Sequence, residues 1–358
     1  MHLKTPINIL VTAIGGGGHG DQILKALLLS KNQEYRIFGA DANPDCPQFR
    51  LVEKAFVLPF ANDPTYLKKL LELCKILNIR VLFHGHEAEL KLFSQKRHEI
   101  ESQGIFLPIN SARVIDICMD KLKTAEFLSN NGFNPPKYNE IRSNKDFAVV
   151  DYFPVVVKPS VGGGGSANCY IAQNLEELRA IAILLNLESH SQKFMVQEYV
   201  GTPDHEYTVG VLHDMDGSFI NSIALKRSLN SQLNIRLSVR NRTNKNKLGD
   251  ELVISSGISH GHIGHYSAIT EQCEALTMSL GVKGPLNIQC RFVDGEIKVY
   301  EINPRFSGTT SIRAMMGFNE PEILINSNIL GKKIKQRFPY KTGSVIRTLK
   351  ETVIENSS

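Results

Sequence analysis

The chain reads as an α/β protein in its first part and a mixed α+β protein in the remainder. Three observations predict this. A near-continuous apolar run over residues 7–14 has the character of a parallel strand buried on both faces. It runs straight into Gly15-Gly-Gly-Gly-His-Gly20 and a helical pattern, Ile23, Leu24, Leu27 and Leu28. Strand and helix signals then alternate as far as residue 107, the signature of a doubly wound parallel sheet.

Residues 35–40 form the second strand, which ends at Asp41. Residues 80–83 and 104–107 give a third and a fourth, each after a long helical stretch. Past Asn110 two short helices are expected, over 111–118 and 120–130, until Gly132-Phe-Asn-Pro-Pro136 breaks the chain. Residues 154–158 are a strand leading into Val161-Gly-Gly-Gly-Gly-Ser166. Asn174 opens a helix whose first turn carries Glu176 and Glu177. Residues 195–200 are strand-like, and 206–213 with 219–226 read as a hairpin around Asp216-Gly217. The polar stretch 230–249 lacks apolar periodicity and is expected to be a mobile loop. Ile269, Cys273, Leu276 and Leu280 fall at helical spacing, closed by Gly281. Strands follow over 286–292 and 297–302. These signals divide the chain into an α/β domain (1–110), linker helices with a small lobe (111–202), a large lobe (203–335) and a tail (336–358).

At 358 residues there is ample material for more than one core. Apolar residues make up 42% and charged residues 22%, ordinary for a globular protein. The net charge of +5 is too small and too scattered for a nucleic-acid surface, and it suits small anionic substrates. The six cysteines lack CxxC spacing, which favours a reducing compartment. No apolar run reaches membrane-spanning length and the first residues are not a signal peptide, so a cytoplasmic protein without membrane partners is expected. A homo-oligomer is compatible with all of this.

The chemistry concentrates in Tyr300-Glu301-Ile302-Asn303-Pro304-Arg305 and in Gln289. Side chains alternate along a strand, so Glu301 and Asn303 share a face. A carboxylate beside an amide oxygen, followed by a guanidinium, suits a hard cation next to an anion clamp. Mg²⁺ takes such ligands and completes its shell from phosphates and water. Gln289 joins that face only if the hairpin register is shifted. A regular two-residue turn at Asp294-Gly295 would set Gln289 opposite Tyr300, so a three-residue loop, or a bulge with Gly295 at positive φ, is predicted.

Two glycine-rich loops point in different directions. Gly15, Gly17 and Gly20 satisfy G-x-G-x-x-G between a strand and a helix, with Asp41 ending the next strand, which makes a nicotinamide oxidoreductase a competing hypothesis. Gly162, Gly163, Gly164 and Gly165 with Ser166 form instead a flexible flap whose amides can fold over phosphates, beside Lys158 as a point cation. Around Glu198, Tyr199 and Val200, backbone groups could meet an adenine edge, and Glu206 could reach a ribose hydroxyl. His260, His262 and His265 form a polar loop near the active site before a helix, with a structural metal as the minor alternative. His84 and His86 end a parallel strand where ligands bind; a substrate contact and a helix cap are both open. Ser307, Thr309 and Arg313 suit recognition of a carboxylate or phosphate.

In their order along residues 110–330, Asp120-Lys121, Lys158 with the glycine flap, Glu198-Tyr-Val200, Glu206, Gln289 and Glu301-x-Asn303-Pro-Arg305 resemble the ATP-grasp superfamily, in its carbamoyl-phosphate-synthase-large-chain-like branch. The resemblance implies a two-lobed ATP-grasp fold behind a preceding α/β domain. It implies that Lys121 and Lys158 contact ATP phosphates, residues 198–200 hold adenine, and Glu206 holds ribose. Gln289, Glu301 and Asn303 would bind Mg²⁺, two ions, with Mn²⁺ as an alternative. Arg305 and Lys158 would then stabilise the transferred phosphoryl group. The implied activity is ATP-dependent ligation of a carboxylate to an amine, with release of ADP and phosphate. Phosphorylation of bicarbonate or carbamate, and a non-catalytic ATP-binding module, are the alternatives. The leading glycine loop of that family commonly binds no dinucleotide, which demotes the oxidoreductase. One unit of this length is expected to lack the second unit and glutaminase partner of a complete carbamoyl phosphate synthase, and the interval from Glu198 to Glu206 is one residue longer than in that branch.

Overall fold

The computed structural model describes residues 6–30, 35–162, 164–187 and 192–353. Strands β1 (Ile7–Val11), β2 (Tyr35–Asp41), β3 (Lys54–Val57) and β4 (Val81–Phe83) form a parallel sheet in the order β3-β2-β1-β4. Helices α1 (His19–Leu28), α2 (Tyr66–Ile76), α3 (Glu87–Gln95) and α4 (Arg97–Glu101) accompany it. The strand expected at 104–107 is reduced to one bridge, Phe106 to Val81. Strand β3, absent from the sequence reading, is an edge strand whose Lys54 and Val57 are exposed and whose inner residues are only half-buried. Its short apolar run, Ala55-Phe-Val-Leu58, is cut off by Pro59.

Ser111 and Asp120 cap α5 (Ala112–Cys118) and α6 (Lys121–Asn130); Asp120 Oδ1 accepts from Leu122 N at 2.9 Å. Both helices pack on the large-lobe core, where Val114, Cys118 and Leu128 join Ile269, Leu276 and Ile288. The small lobe is an antiparallel sheet of β5 (Tyr138–Ile141), β6 (Val155–Pro159), β7 (Tyr170–Ala172) and β8 (Phe194–Glu198), ordered β5-β8-β6-β7 and covered by α7 (Leu175–Leu184).

The large lobe follows with β9 (Glu206–His213), β10 (Phe219–Arg227), β11 (Ile235–Arg240), β12 (Glu251–Ser255), β13 (Gly261–Gly264), β14 (Pro285–Val293), β15 (Glu296–Asn303) and β16 (Gly343–Val345). Its sheet runs β15-β14-β9-β10-β13-β16, while β11 and β12 pair separately. Helices α8 (Ser267–Leu280), α9 (Thr310–Met315) and α10 (Glu320–Asn328) complete it.

Three expectations need correction. The stretch 230–249 is not a structureless loop: in β11, half-buried Ile235, Leu237 and Val239 alternate with exposed Arg236, Ser238 and Arg240. Leu237 and Val239 lie against Tyr199, Leu252 and Ile254. The histidine segment is not wholly a loop: His262 lies in strand β13, with His260 and His265 just outside its two ends. The segment expected as a C-terminal tail is not wholly irregular, because its residues Gly343–Val345 form β16, the outermost strand of the large-lobe sheet among the described residues.

Candidate active site

A cleft opens between the lobes. Val156 on β6, Val200, and Val253 and Ile254 on β12 give it an apolar flank; Lys121, Lys158, Gln289 and Glu301 make the rest polar. An apolar slot with a charged end fits a planar base joined to an anion.

The polar end depends on one irregularity. The loop between β14 and β15 has two residues, Asp294 (φ 52°) and Gly295 (φ 81°), with Val293 facing Glu296. Carried on regularly, that pairing would set Gln289 against Tyr300. Instead Cys290 faces Val299 and Gln289 faces Glu301, so Tyr300 is bulged out of the ladder. The one-residue shift therefore exists, but it sits at Tyr300 and not at the turn. Opposed residues lie about 4.5–5.5 Å apart at Cβ, which puts the Gln289 amide beside the Glu301 carboxylate. The carbonyl of bulged Tyr300 accepts from Lys158 Nζ at 2.9 Å.

Lys158 is 5% exposed. Its Nζ also donates to Gln197 Oε1 at 2.7 Å and lies over the Tyr300 ring. Burial, and then the charge of Lys121, lower its pKa from 10.5 to about 8. Lys121, at the start of α6, donates to Gly162 O at 2.9 Å and stands 3.9 Å from Glu301 Oε1. It thus ties the root of the flap to the acid. Gly162 and Gly165 have positive φ, and a Cβ on Gly162, Gly164 or Gly165 would meet nothing within 4 Å. Ser166 Oγ donates to Ser255 O at 2.7 Å, docking the flap's far end on β12. Gly163 lies outside the described residues.

On the other side of Lys121 and Glu301 is a smaller cavity lined by Glu87, Asn303 and Arg305. Arg305 Nη2 donates to Glu87 Oε1 and to Asn303 Oδ1, both at 2.9 Å. Burial would raise the Glu87 pKa, but the Arg305 guanidinium outweighs it and holds the carboxyl below its usual range. The donor set of Gln289, Glu301 and Asn303 is all oxygen with a single charge, which suits Mg²⁺ that receives further ligands from phosphate.

Other candidates are committed elsewhere. Glu206 is 2% exposed and paired with Arg227 at 3.0 Å and Arg291 at 3.2 Å, from the strands on either side of β9, so its carboxylate is engaged before any ribose arrives. The amides of Glu198 and Tyr199 already donate to Lys137 O and Pro154 O, and the Val200 carbonyl accepts from Arg291. These three residues line the cleft with part of their backbone spent. His84 is buried against His19, with Nδ1 to Nε2 at 3.2 Å; burial and then Arg305 lower its pKa to about 3. His86 caps α3, accepting from Ala88 N at 3.2 Å, so the capping alternative describes it. Ser307 and Thr309 are buried and bonded to each other at 2.9 Å. Arg313 is buried and paired with Glu320 at 3.0 Å. Each of these side chains is thus engaged within the protein. His260 bonds Asn234, His262 bonds Tyr266 and His265 packs on Tyr340. Among the described residues no group of three or more His, Cys, Asp or Glu is placed to hold a metal.

The sequence reading missed Arg291, whose guanidinium sits 4.4 Å from the Tyr199 ring centre and also donates to Val200 O, Gly201 O and Val253 O. An arginine between Cys290 and Phe292 in a strand with buried neighbours was the available signal. Glu87 and bulged Tyr300 carried none, since each acts through a contact distant in sequence.

Residues 190–352 match the family described as ATP-grasp in the biosynthetic pathway with Ter operon, and residues 9–108 match the PylC-like N-terminal domain. The chain carries an ATP-grasp domain behind a PylC-like N-terminal domain. It is similar to the carbamoyl phosphate synthase large chain of Thermoanaerobacter sp. (strain X514), 25% identical over 281 residues, which are 75% of this chain and 23% of that protein. The chain thus spans about a quarter of the length of the curated relatives it matches. Two solved structures share its fold. The biotin carboxylase domain dimer of Hydrogenobacter thermophilus 2-oxoglutarate carboxylase, in complex with MgADP, ADP and bicarbonate, superposes with a TM-score of 0.62 at 15% identity, covering 92% of this chain and 70% of that one. The L-amino acid ligase from Bacillus licheniformis gives 0.60 at 16%, covering 90% and 74%. No described helix is long and apolar enough to cross a membrane.

Proposed function

We propose that the protein is an ATP-dependent ligase that converts a carboxylate to an acyl phosphate and couples it to an amine. The observation that carries this reading is the Tyr300 bulge, which sets Gln289 against Glu301 and at once points the Tyr300 carbonyl at Lys158. A carboxylate oxygen attacks the γ-phosphorus and the bond to the bridging oxygen of ADP breaks. The amine nitrogen then adds to the acyl carbon, loses a proton and expels phosphate. Gln289, Glu301 and Asn303 would hold Mg²⁺, in two sites or with Mn²⁺ in its place, to neutralise phosphate charge. Lys158 and Lys121 bind phosphate oxygens from the flap side. Arg305, held by Glu87 and Asn303, presents its guanidinium where the acyl phosphate would form. Such chemistry needs positioning and charge more than an enzyme nucleophile.

The test is a screen of amino acids and other carboxylates for ADP and phosphate release, with hydroxylamine present to trap an acyl phosphate as a hydroxamate. AMP and pyrophosphate as products would overturn the mechanism. Bicarbonate belongs in the screen as a second reading, supported by the similarity to carbamoyl phosphate synthase large chains. Tight MgATP binding without turnover on any carboxylate would favour a regulatory module.

A further inference from the structure

A second cavity, apolar over much of its wall through Leu233, Val345 and Ile346, lies on the far side of segment 255–260 from the glycine flap. It is lined by Asn230 and Ser231 from the loop after β10, by His260 and Gly261 entering β13, and by Ile346 and Arg347 just past β16. No acidic residue lines it. Arg347 donates through Nε to Ser259 O at 3.0 Å and through Nη2 to Gln22 Oε1 at 2.9 Å and to Gly308 O. All three acceptors are neutral, and among the described residues no carboxylate lies within ion-pair distance of it. Asp21, whose charge acts on Arg347, is already paired with Lys25 at 2.6 Å.

His260 is 6% exposed and its Nδ1 has no partner. Its tautomer follows from its neighbours. Asn234 Oδ1 accepts from Ser231 N at 3.1 Å, so Asn234 Nδ2 donates to His260 Nε2 at 2.8 Å, nearer to that nitrogen than the acceptor Asn230 Oδ1 at 3.3 Å. Nε2 therefore accepts, and the ring proton sits on the orphaned Nδ1. Burial, then Arg227 and Arg347, lower the His260 pKa, which keeps the ring neutral in that form. Ser231 Oγ is buried without a partner as well. An unneutralised guanidinium and two unused donors around one cavity leave a deficit of acceptors, which an anion would meet.

The cavity adjoins the reaction centre. A Cβ on Gly257 would lie 3.3 Å from Gly165 Cα of the flap, and one on Gly308 would lie 3.4 Å from Gly257 O. Gly308, the residue Arg347 holds, is three positions beyond Arg305, at most about 11 Å of extended chain.

We propose that this cavity receives the anionic end, a carboxylate or a phosphate, of the substrate that reacts beside Arg305, with Arg347 as counter-ion and His260 Nδ1–H and Ser231 Oγ–H as further donors. The inference rests on the ligase reading for the word substrate, and on the cavity alone for the anion.

The experiment uses the full chain saturated with MgADP, labelled with ¹⁵N in histidine, the His260 signal being assigned by its loss in His260→Gln. Inorganic phosphate and acetate are titrated separately, and the one that moves the His260 signal at the lower concentration identifies the headgroup. Arg347→Gln should weaken that effect about tenfold or more, and Arg347→Lys by less. Ser231→Ala, a milder change, should weaken it several-fold and serves if Arg347→Gln does not fold. The anion that binds should also inhibit ADP release competitively against the carboxylate found by the screen. No response of His260 to either anion overturns the proposal. Binding without competition overturns the substrate assignment. Binding in a protein that turns over no carboxylate sinks the ligase reading while the anion site stands, which tells the two failures apart.

Discussion

The two glycine-rich loops look alike in sequence and differ in what surrounds them. In the first, a Cβ on Gly20 would stand 2.3 Å from Ala13 O, and one on Gly85 across from it 2.1 Å from Thr12 O. These glycines let α1 and the end of β4 close onto the backbone after β1. Gly15 N donates to Asp41 Oδ2 at 2.7 Å and Asn43 N to Asp41 Oδ1 at 2.9 Å, so the acid that would take a ribose is tied to its own loop. In the second loop the space around Gly162, Gly164 and Gly165 is open, and a lysine and a serine hold its two ends. In the first run the packing need falls on Gly15 and Gly20, while a Cβ on Gly16 or Gly17 would meet nothing within 4 Å; in the second, all three described glycines are open. What a Cβ would strike separates the cases, and sequence does not contain that.

The comparison can be broken most sharply at the metal face. Glu301→Gln keeps shape and removes the one charge, and ADP release should fall by about 10³-fold or more, the effect of several kcal/mol. Asp41→Asn should leave that rate within a small factor. If the first loop and not the second bound the nucleotide, the order would reverse.

Gly20→Ala drives a methyl into a carbonyl and should destabilise the fold by about 1–3 kcal/mol, read as a melting temperature lower by several degrees, with KM for ATP unchanged. A changed KM would mean that the first loop touches nucleotide after all.

MgATP at about 100 times its Kd should stabilise the protein by about 2.7 kcal/mol, and NAD or NADP should give no shift. Stabilisation by a dinucleotide alone would revive the oxidoreductase.

The buried lysine sharpens the comparison through pH. Its pKa is about 8 when folded against 10.5 ordinarily. Between those values the unfolded chain binds more protons, so the unliganded protein gains stability as pH rises from 8 to 10.5. Phosphate binding needs the charged form, so MgATP affinity should fall over the same interval, by at most about tenfold per pH unit. Lys158→Ala should abolish both trends.

The smallest effect is expected from Gly164→Ala. Its Cβ meets nothing, so stability should change by less than about 0.5 kcal/mol, while the stiffer flap lowers kcat modestly.

Long apolar runs and helix periods made β1, β2, α1, α8 and the β9–β10 hairpin legible. Edge strands β3 and β16 were not, since half their residues face solvent and their pairing partners are remote. Strand β11 did carry a period-2 pattern, Ile235, Leu237 and Val239, which its Asn and Arg content obscured. In the site, Glu301, Asn303 and Gln289 could be named from residue type, and the need for a register shift followed from alternation. Where the shift falls could not, because a bulge is a relation between two strands. The surroundings of Glu206 were hidden for the same reason: the two arginines paired with it become its neighbours only in the sheet.

Strand β16 has a consequence for handling the protein. It pairs Ile263 with Gly343 and Gly261 with Val345, and among the described residues no strand lies outside it. Three residues of irregularly flanked chain are a poor template for another molecule. A chain shortened before Gly343 would lose that shield and leave the outer rim of β13 with unpaired amides and carbonyls, a surface that invites strand-to-strand association between molecules. Shortened preparations should therefore show concentration-dependent self-association, whatever their effect on nucleotide binding.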